Sequence, residues 1–131
     1  MMRRMTFLAV ALAFVAGSAA YAHHSYAATY DTTKEIKIEG KLVQFMYRNP
    51  HSFVHVEAND EKGVPQRWAV EWSGGGQLAN QGVTKDSLKV GDQVVIMGRP
   101  SRVTGEFRAL MVNLKRPADG FTWGGRGQVV D

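Results

Sequence analysis

The sequence predicts an all-β domain: a five-stranded, OB-like small barrel with a short helical insert between strands 3 and 4. Three observations carry this prediction. Five segments alternate apolar and polar residues with the period of two that marks a half-buried strand. A glycine-rich stretch, GGGQLANQG, separates the third segment from the fourth. The chain of 131 residues has no cysteine, so no disulfide holds it together, and closing the sheet would remove its exposed edges. An open meander sandwich is the alternative that the same pattern permits.

The first strand is EIKIEGKLVQFMY. Its apolar parity changes in the middle: Ile36 and Ile38 share one face, whereas Val43, Phe45 and Tyr47 share the other. Gly40 sits near the switch, where a bulge or bend is expected. RNPH (48–51) reads as a turn, with Pro50 fixing its φ angle. SFVHVEA is the second strand and QRWAVEW the third, joined by the turn-rich NDEKGVP. Pairing Val56 with Trp68 and Val54 with Val70 sorts one side of this hairpin into an apolar face of Val54, Val56, Trp68, Val70 and Trp72. The other side carries Phe53, His55, Glu57, Arg67, Ala69 and Glu71, with Glu57 across from Arg67. QVVIMGRP and FRALMVNLK supply strands 4 and 5. Val95 or Ile96, Leu110 and Val112 are their expected core residues.

The remaining segments divide the chain. MMRRM, the apolar TFLAVALAFVAG and then SAAYA form a signal peptide over residues 1–22. The apolar run is too short for a stable membrane anchor, and Ala20 and Ala22 give the small-x-small pattern at the cut. Residues 23–33 are a polar arm, 34–116 the OB-like β-domain, and 117–131 a glycine-rich flexible tail. Cleavage after Ala22 implies a periplasmic or secreted protein. It also removes Arg3 and Arg4, which halves the whole-chain net charge of +4. With no basic stripe left and export expected, nucleic acid is excluded as a partner.

Two of the four histidines, His23 and His24, stand at the cut. A mature N-terminal histidine carries an α-amine with a pKa near 7.7–8.0, which sheds its proton at modest cost. Amine and imidazole then close a chelate ring around one ion. A third nitrogen from another histidine gives a nitrogen-only, tetragonal set that suits copper best among common divalent metals. His24 offers a second mode through amine, amide and its own imidazole. The third ligand is His51 or His55. On a regular strand they lie roughly 13 Å apart, too far to bind one ion together. An extended arm from His23 to Thr33 spans at most about 35 Å and reaches the level of His55 more easily. Glu71, diagonal to both candidates, is the carboxylate placed to orient the third histidine.

These residues read as an exported carrier or accessory module for a metal ion, with a second exported protein as its further partner. The rival is a ligand- or protein-binding β-module whose histidines have no metal role. An enzyme using the bound metal is the least favoured reading. No phosphate loop, nucleophile elbow or cysteine nucleophile is present.

AHHSYAATYD, GKLVQFMYRNPHSFVHV and WAVEWSGGGQLANQGVTKDSLKVGDQVVIMGRP resemble a family of small exported bacterial proteins described only as a domain of unknown function. The resemblance spans roughly residues 22 to 115. It rests on the HHS start (His23, His24, Ser25), the NPH turn (Asn49, Pro50, His51) and W-x-x-E (Trp68, Glu71) with TKDSLKVGD. It implies export and a small β-rich domain without an established activity, and it favours His51 over His55. The ending LKRPADGFTWGG departs from the family's.

Overall fold

The computed structural model describes residues 26–125. Residues 1–25, which include the expected signal segment 1–22 together with His23 and His24, and residues 126–131 lie outside them. The order is β1 (Ile36–Met46), β2 (Ser52–Asn59), β3 (Pro65–Trp72), α1 (Gly75–Asn80), β4 (Gln93–Pro100), β5 (Arg108–Arg116) and β6 (Phe121–Trp123). The sheet runs β3-β2-β1-β4-β5-β6, and a parallel pairing of β3 with β5 closes the first five strands into a mixed barrel. The helix falls between β3 and β4, as the glycine-rich stretch predicts.

β1 is long because it serves two neighbours. Ile36–Lys41 pair with β4, and Gly40–Met46 pair with β2. Gly40 belongs to both sets, and a Cβ there would sit 2.0 Å from the Glu57 carbonyl oxygen, so only glycine lets β2 approach this closely. The parity switch is real but lies further along. The register shifts between Leu42 and Gln44, so Val43 is the extra residue and the inward row passes from Leu42 to Phe45.

The β2–β3 register matches the expected one: Val56 faces Trp68, Val54 faces Val70 and Glu57 faces Arg67. Val54, Val56, Val70 and Trp72 are fully buried. Trp68 is only half-buried, with its ring edge-on to Phe107 at 5.2 Å. On β4 the core residue is Ile96, beside Val94. On β5 the expected inward row of Leu110 and Val112 is corrected to Ala109, Met111 and Leu114. A register irregularity pairs Met97 with Asn113 but Gly98 with Met111, so Val112 is skipped and the parity changes there. Leu110 is buried outside the main cluster.

Two segments expected to be plain are built into the fold. Phe121–Trp123, within the tail predicted to be flexible, add β6 to the edge of β5. Trp123 is 1% exposed, lies edge-on to Trp72 at 5.1 Å and donates from Nε1 to Gln81 Oε1 at 2.9 Å. Burying an indole of this size outweighs the cost of ordering a glycine-rich turn. In the arm, residues 26–29 are helical, and Tyr30, 1% exposed, bridges to Ser101. Arg102 ties the arm down through its backbone N–H to the Thr29 carbonyl and its Nε to the Ala27 carbonyl. Among the described residues, no helix is long and apolar enough to cross a membrane.

Candidate functional site

The NPH turn is held from below by the glycine-rich stretch. The Gly75 N–H donates to the Arg48 carbonyl at 3.0 Å, and Gly76 N–H to Asn49 Oδ1 at 3.2 Å. A Cβ on Gly74 would lie 2.5 Å from the Pro50 carbonyl oxygen. Ser52 closes the turn on the other side, its Oγ exchanging bonds with the Arg48 backbone at 3.1 Å. The backbone that carries His51 is therefore fixed by its neighbours rather than by its own turn propensity.

His51 meets Glu71. Its Nδ1 lies 2.9 Å from Glu71 Oε1 and 2.7 Å from the Tyr26 hydroxyl, and the Tyr26 and His51 rings are 5.4 Å apart. A carboxylate only accepts, so a hydrogen bond to Glu71 requires the proton on Nδ1, and a neutral ring in that tautomer carries its lone pair on Nε2. Among the described residues nothing bonds Nε2.

Glu71 is 8% exposed, an unusual carboxylate for the outer side of a strand. It is buried because β3 is flanked on both sides there, with Phe53 of β2 and Leu110 of β5 as its register partners. Its other oxygen, Oε2, accepts from the Tyr30 hydroxyl and from Arg108 Nη2 at 3.0 Å. Arg108 also donates from Nε to the Tyr30 oxygen at 2.8 Å. Both carboxylate oxygens are thus engaged and a guanidinium balances the charge, the conditions under which a buried carboxylate is tolerated. Burial, and next the bond to Glu71, push the Tyr30 phenol well above its usual value, so it stays a neutral donor.

His55 stands apart from this cluster. Its Nδ1 accepts from Arg67 Nε at 3.1 Å, and Arg67 Nη2 reaches Gln44 Oε1 at 2.9 Å. Partial burial, then the charges of Arg67 and Arg48, hold its pKa below the ordinary value. The structure therefore brings Glu71 to His51 and not to His55. The arm arrives at His51 as well. It coils through a helical turn at about 1.5 Å per residue instead of running extended, with Tyr30 N–H bonded to the Tyr26 carbonyl at 2.8 Å.

Tyr26, Tyr30 and Arg108 are the members of the cluster that the sequence reading missed. The two tyrosines stand four apart, one helical turn, which places them on one face of a helix. That spacing in SYAATY was the available signal. Arg108 had none, because only the parallel β3–β5 pairing, Ala69 opposite Arg108, brings it near Glu71. Among the described residues, no three His, Cys, Asp or Glu side chains form a group that could hold a metal. A larger groove of ≈ 750 Å³ lies away from the cluster, around Trp68, Phe107 and Ile36.

Comparison with known proteins adds the family and no activity. No curated protein matches the chain. Among solved structures, the mitochondrial single-stranded DNA-binding protein Rim1 from S. cerevisiae is similar over 63% of this chain and 91% of its own, at 8% identity and a TM-score of 0.45. Residues 11–109 match the model of a family of unknown function, DUF6152. The chain, a closed small β-barrel with a histidine–carboxylate–tyrosine cluster under its N-terminal arm, belongs to that family.

Proposed function

We propose that this protein is exported, is cut after Ala22, and binds one copper ion through the His23 amine and imidazole together with Nε2 of His51, serving as a carrier or accessory module. The observation that carries this reading is the His51–Glu71 pair. A carboxylate beside Nδ1 orients the ring and favours the tautomer whose lone pair is on Nε2, the arrangement that metal-binding histidines commonly have.

The position of the arm supports it. His23 stands three residues before Tyr26, at most about 10 Å of extended chain, and the Tyr26 hydroxyl already touches His51. His55 fits less well, because its Nδ1 accepts from a guanidinium and the neutral ring then carries its proton on Nε2. His24 supplies the alternative chelate, from the same processed terminus. The ligands are nitrogens only, which favours copper over harder cations.

Calorimetric Cu(II) titration of the mature form with His51→Ala and His55→Ala tests the assignment. His51→Ala is expected to weaken binding at least tenfold, and His55→Ala to leave it within twofold. The opposite order, or equal effects, overturns the assignment.

A further inference from the structure

The outer side of β1, β2 and β3 carries a shallow cleft of ≈ 260 Å³ lined by Met46, Arg48, Phe53, His55, Ala69 and Arg108. Two guanidinium groups lie over the same ring: the Arg48 and Arg108 carbons are 5.5 and 5.6 Å from the Phe53 centroid. Arg108 uses Nε on Tyr30 and Nη2 on Glu71, and Arg48 uses Nε on the His51 carbonyl at 3.3 Å. Among the described residues, Nη1 of Arg108 and both terminal nitrogens of Arg48 have no hydrogen-bond partner. Glu71, which is bonded to the lining residue Arg108, is also engaged by Tyr30 and His51. Arg67 adds a third cation at His55.

We propose that this cleft binds a small organic anion, a carboxylate on a short apolar body. The carboxylate accepts from the open nitrogens of Arg48 and Arg108, whose planar forks suit it. The apolar body lies on Phe53, Met46 and Ala69. The volume sets the size of the ligand, since it falls below the ~300–1,000 Å³ of pockets for drug-sized molecules. The apolar floor argues against a bare inorganic anion. The larger groove around Trp68 is lined by no guanidinium; there Lys37 is paired with Glu39, Asp60 is bonded within its own turn and Glu106 is bonded to Ser101. The anion site requires no metal, so it stands or falls apart from the copper reading.

The test is an amide NMR titration of the chelator-treated protein with hexanoate, 1-hexanol and inorganic phosphate. Hexanoate is expected to give saturable shifts at Phe53, His55 and Ala69, with hexanol and phosphate each at least tenfold weaker. Arg48→Gln, at an exposed position, is expected to weaken hexanoate binding about tenfold or more, the loss of one charge-assisted bond. Met46→Glu, which puts a competing carboxylate on the cleft wall, is the second variant and is expected to abolish binding. No saturable shift with hexanoate, phosphate binding as tightly as hexanoate, or wild-type affinity in either folded variant overturns the proposal.

Discussion

Replacing Glu71 by glutamine probes the cluster at its centre. The side chain is 11% exposed, and its partners Arg108 and His51 are 36% and 34% exposed. Glutamine keeps the volume and one acceptor oxygen but removes the charge. A hydrogen bond to a charged group contributes about 1.5–3 kcal/mol and a neutral one about 0.5–1.5. Weakening the Tyr30 and Arg108 bonds in this way costs about 2 kcal/mol, and water at the two half-exposed partners reduces that to about 1–2 kcal/mol. Glu71→Ala also leaves the buried Tyr30 hydroxyl without its acceptor, and about 3 kcal/mol is expected. Urea unfolding followed by tryptophan fluorescence measures both. The glutamine amide also presents an N–H to His51 Nδ1, so the ring is expected to switch its proton to Nε2, which imidazole 15N NMR reads directly. Losses below about 0.5 kcal/mol for both variants, or a His51 ring whose proton stays on Nδ1 in the Glu71→Gln variant, would refute the reasoning.

Three further outcomes follow from the packing and the charges. Trp123→Ala is expected to cost about 3–5 kcal/mol in urea unfolding, and Trp68→Ala at least about 1 kcal/mol less, because Trp123 is fully buried and Trp68 is not. Burial alone would raise the Asp92 carboxyl, but the Lys89 N–H and Arg116 outweigh it and hold its pKa below the usual 3.8. The unfolded chain then binds the proton more readily, so this stability is present above the unfolded pKa and is lost as pH falls below about 4. A melting profile from pH 5 to 2 is expected to be flatter in Asp92→Asn than in the wild type. Tyr30, whose phenol is raised by burial and then by Glu71, contributes stability that is complete below its ordinary value of 10.0 and is lost as pH rises beyond it. Tyrosinate absorbance is therefore expected to show Tyr30 titrating only with unfolding.

The parts of the fold that could be read in the sequence are those set by local alternation. The β2–β3 register follows from sorting Trp68, Val70 and Trp72 onto one face, and the structure pairs them that way. Alternation fails where a strand skips a residue. Val43 and Val112 are apolar and fit the pattern on either face, so nothing local marks them as bulges, and the β5 core row is displaced as a result. Phe121–Trp123 were hidden for a different reason. Three residues among glycines carry no period, and their strand exists because Trp123 finds Trp72, a contact across most of the barrel's sequence. At the candidate site, His51 and Glu71 were visible as residue types of the right chemistry. Their contact needs the NPH turn pinned by Gly74 and Gly75, and the burial of Glu71 needs β5 beside β3. Both are non-local.

The proposed copper site depends most heavily on a mature N-terminus at His23, and adding one residue before it tests this most directly. A single extra alanine converts the α-amine of His23 into an amide, which cannot ligate as the amine does, and leaves residues 26–125 untouched. Copper titration with electron paramagnetic resonance of the two forms reads the result. The account predicts that the form beginning at His23 binds one Cu(II) with nitrogen superhyperfine structure, and that the extended form binds at least tenfold more weakly with an altered spectrum. Equal affinity and an unchanged spectrum in the extended form would contradict it.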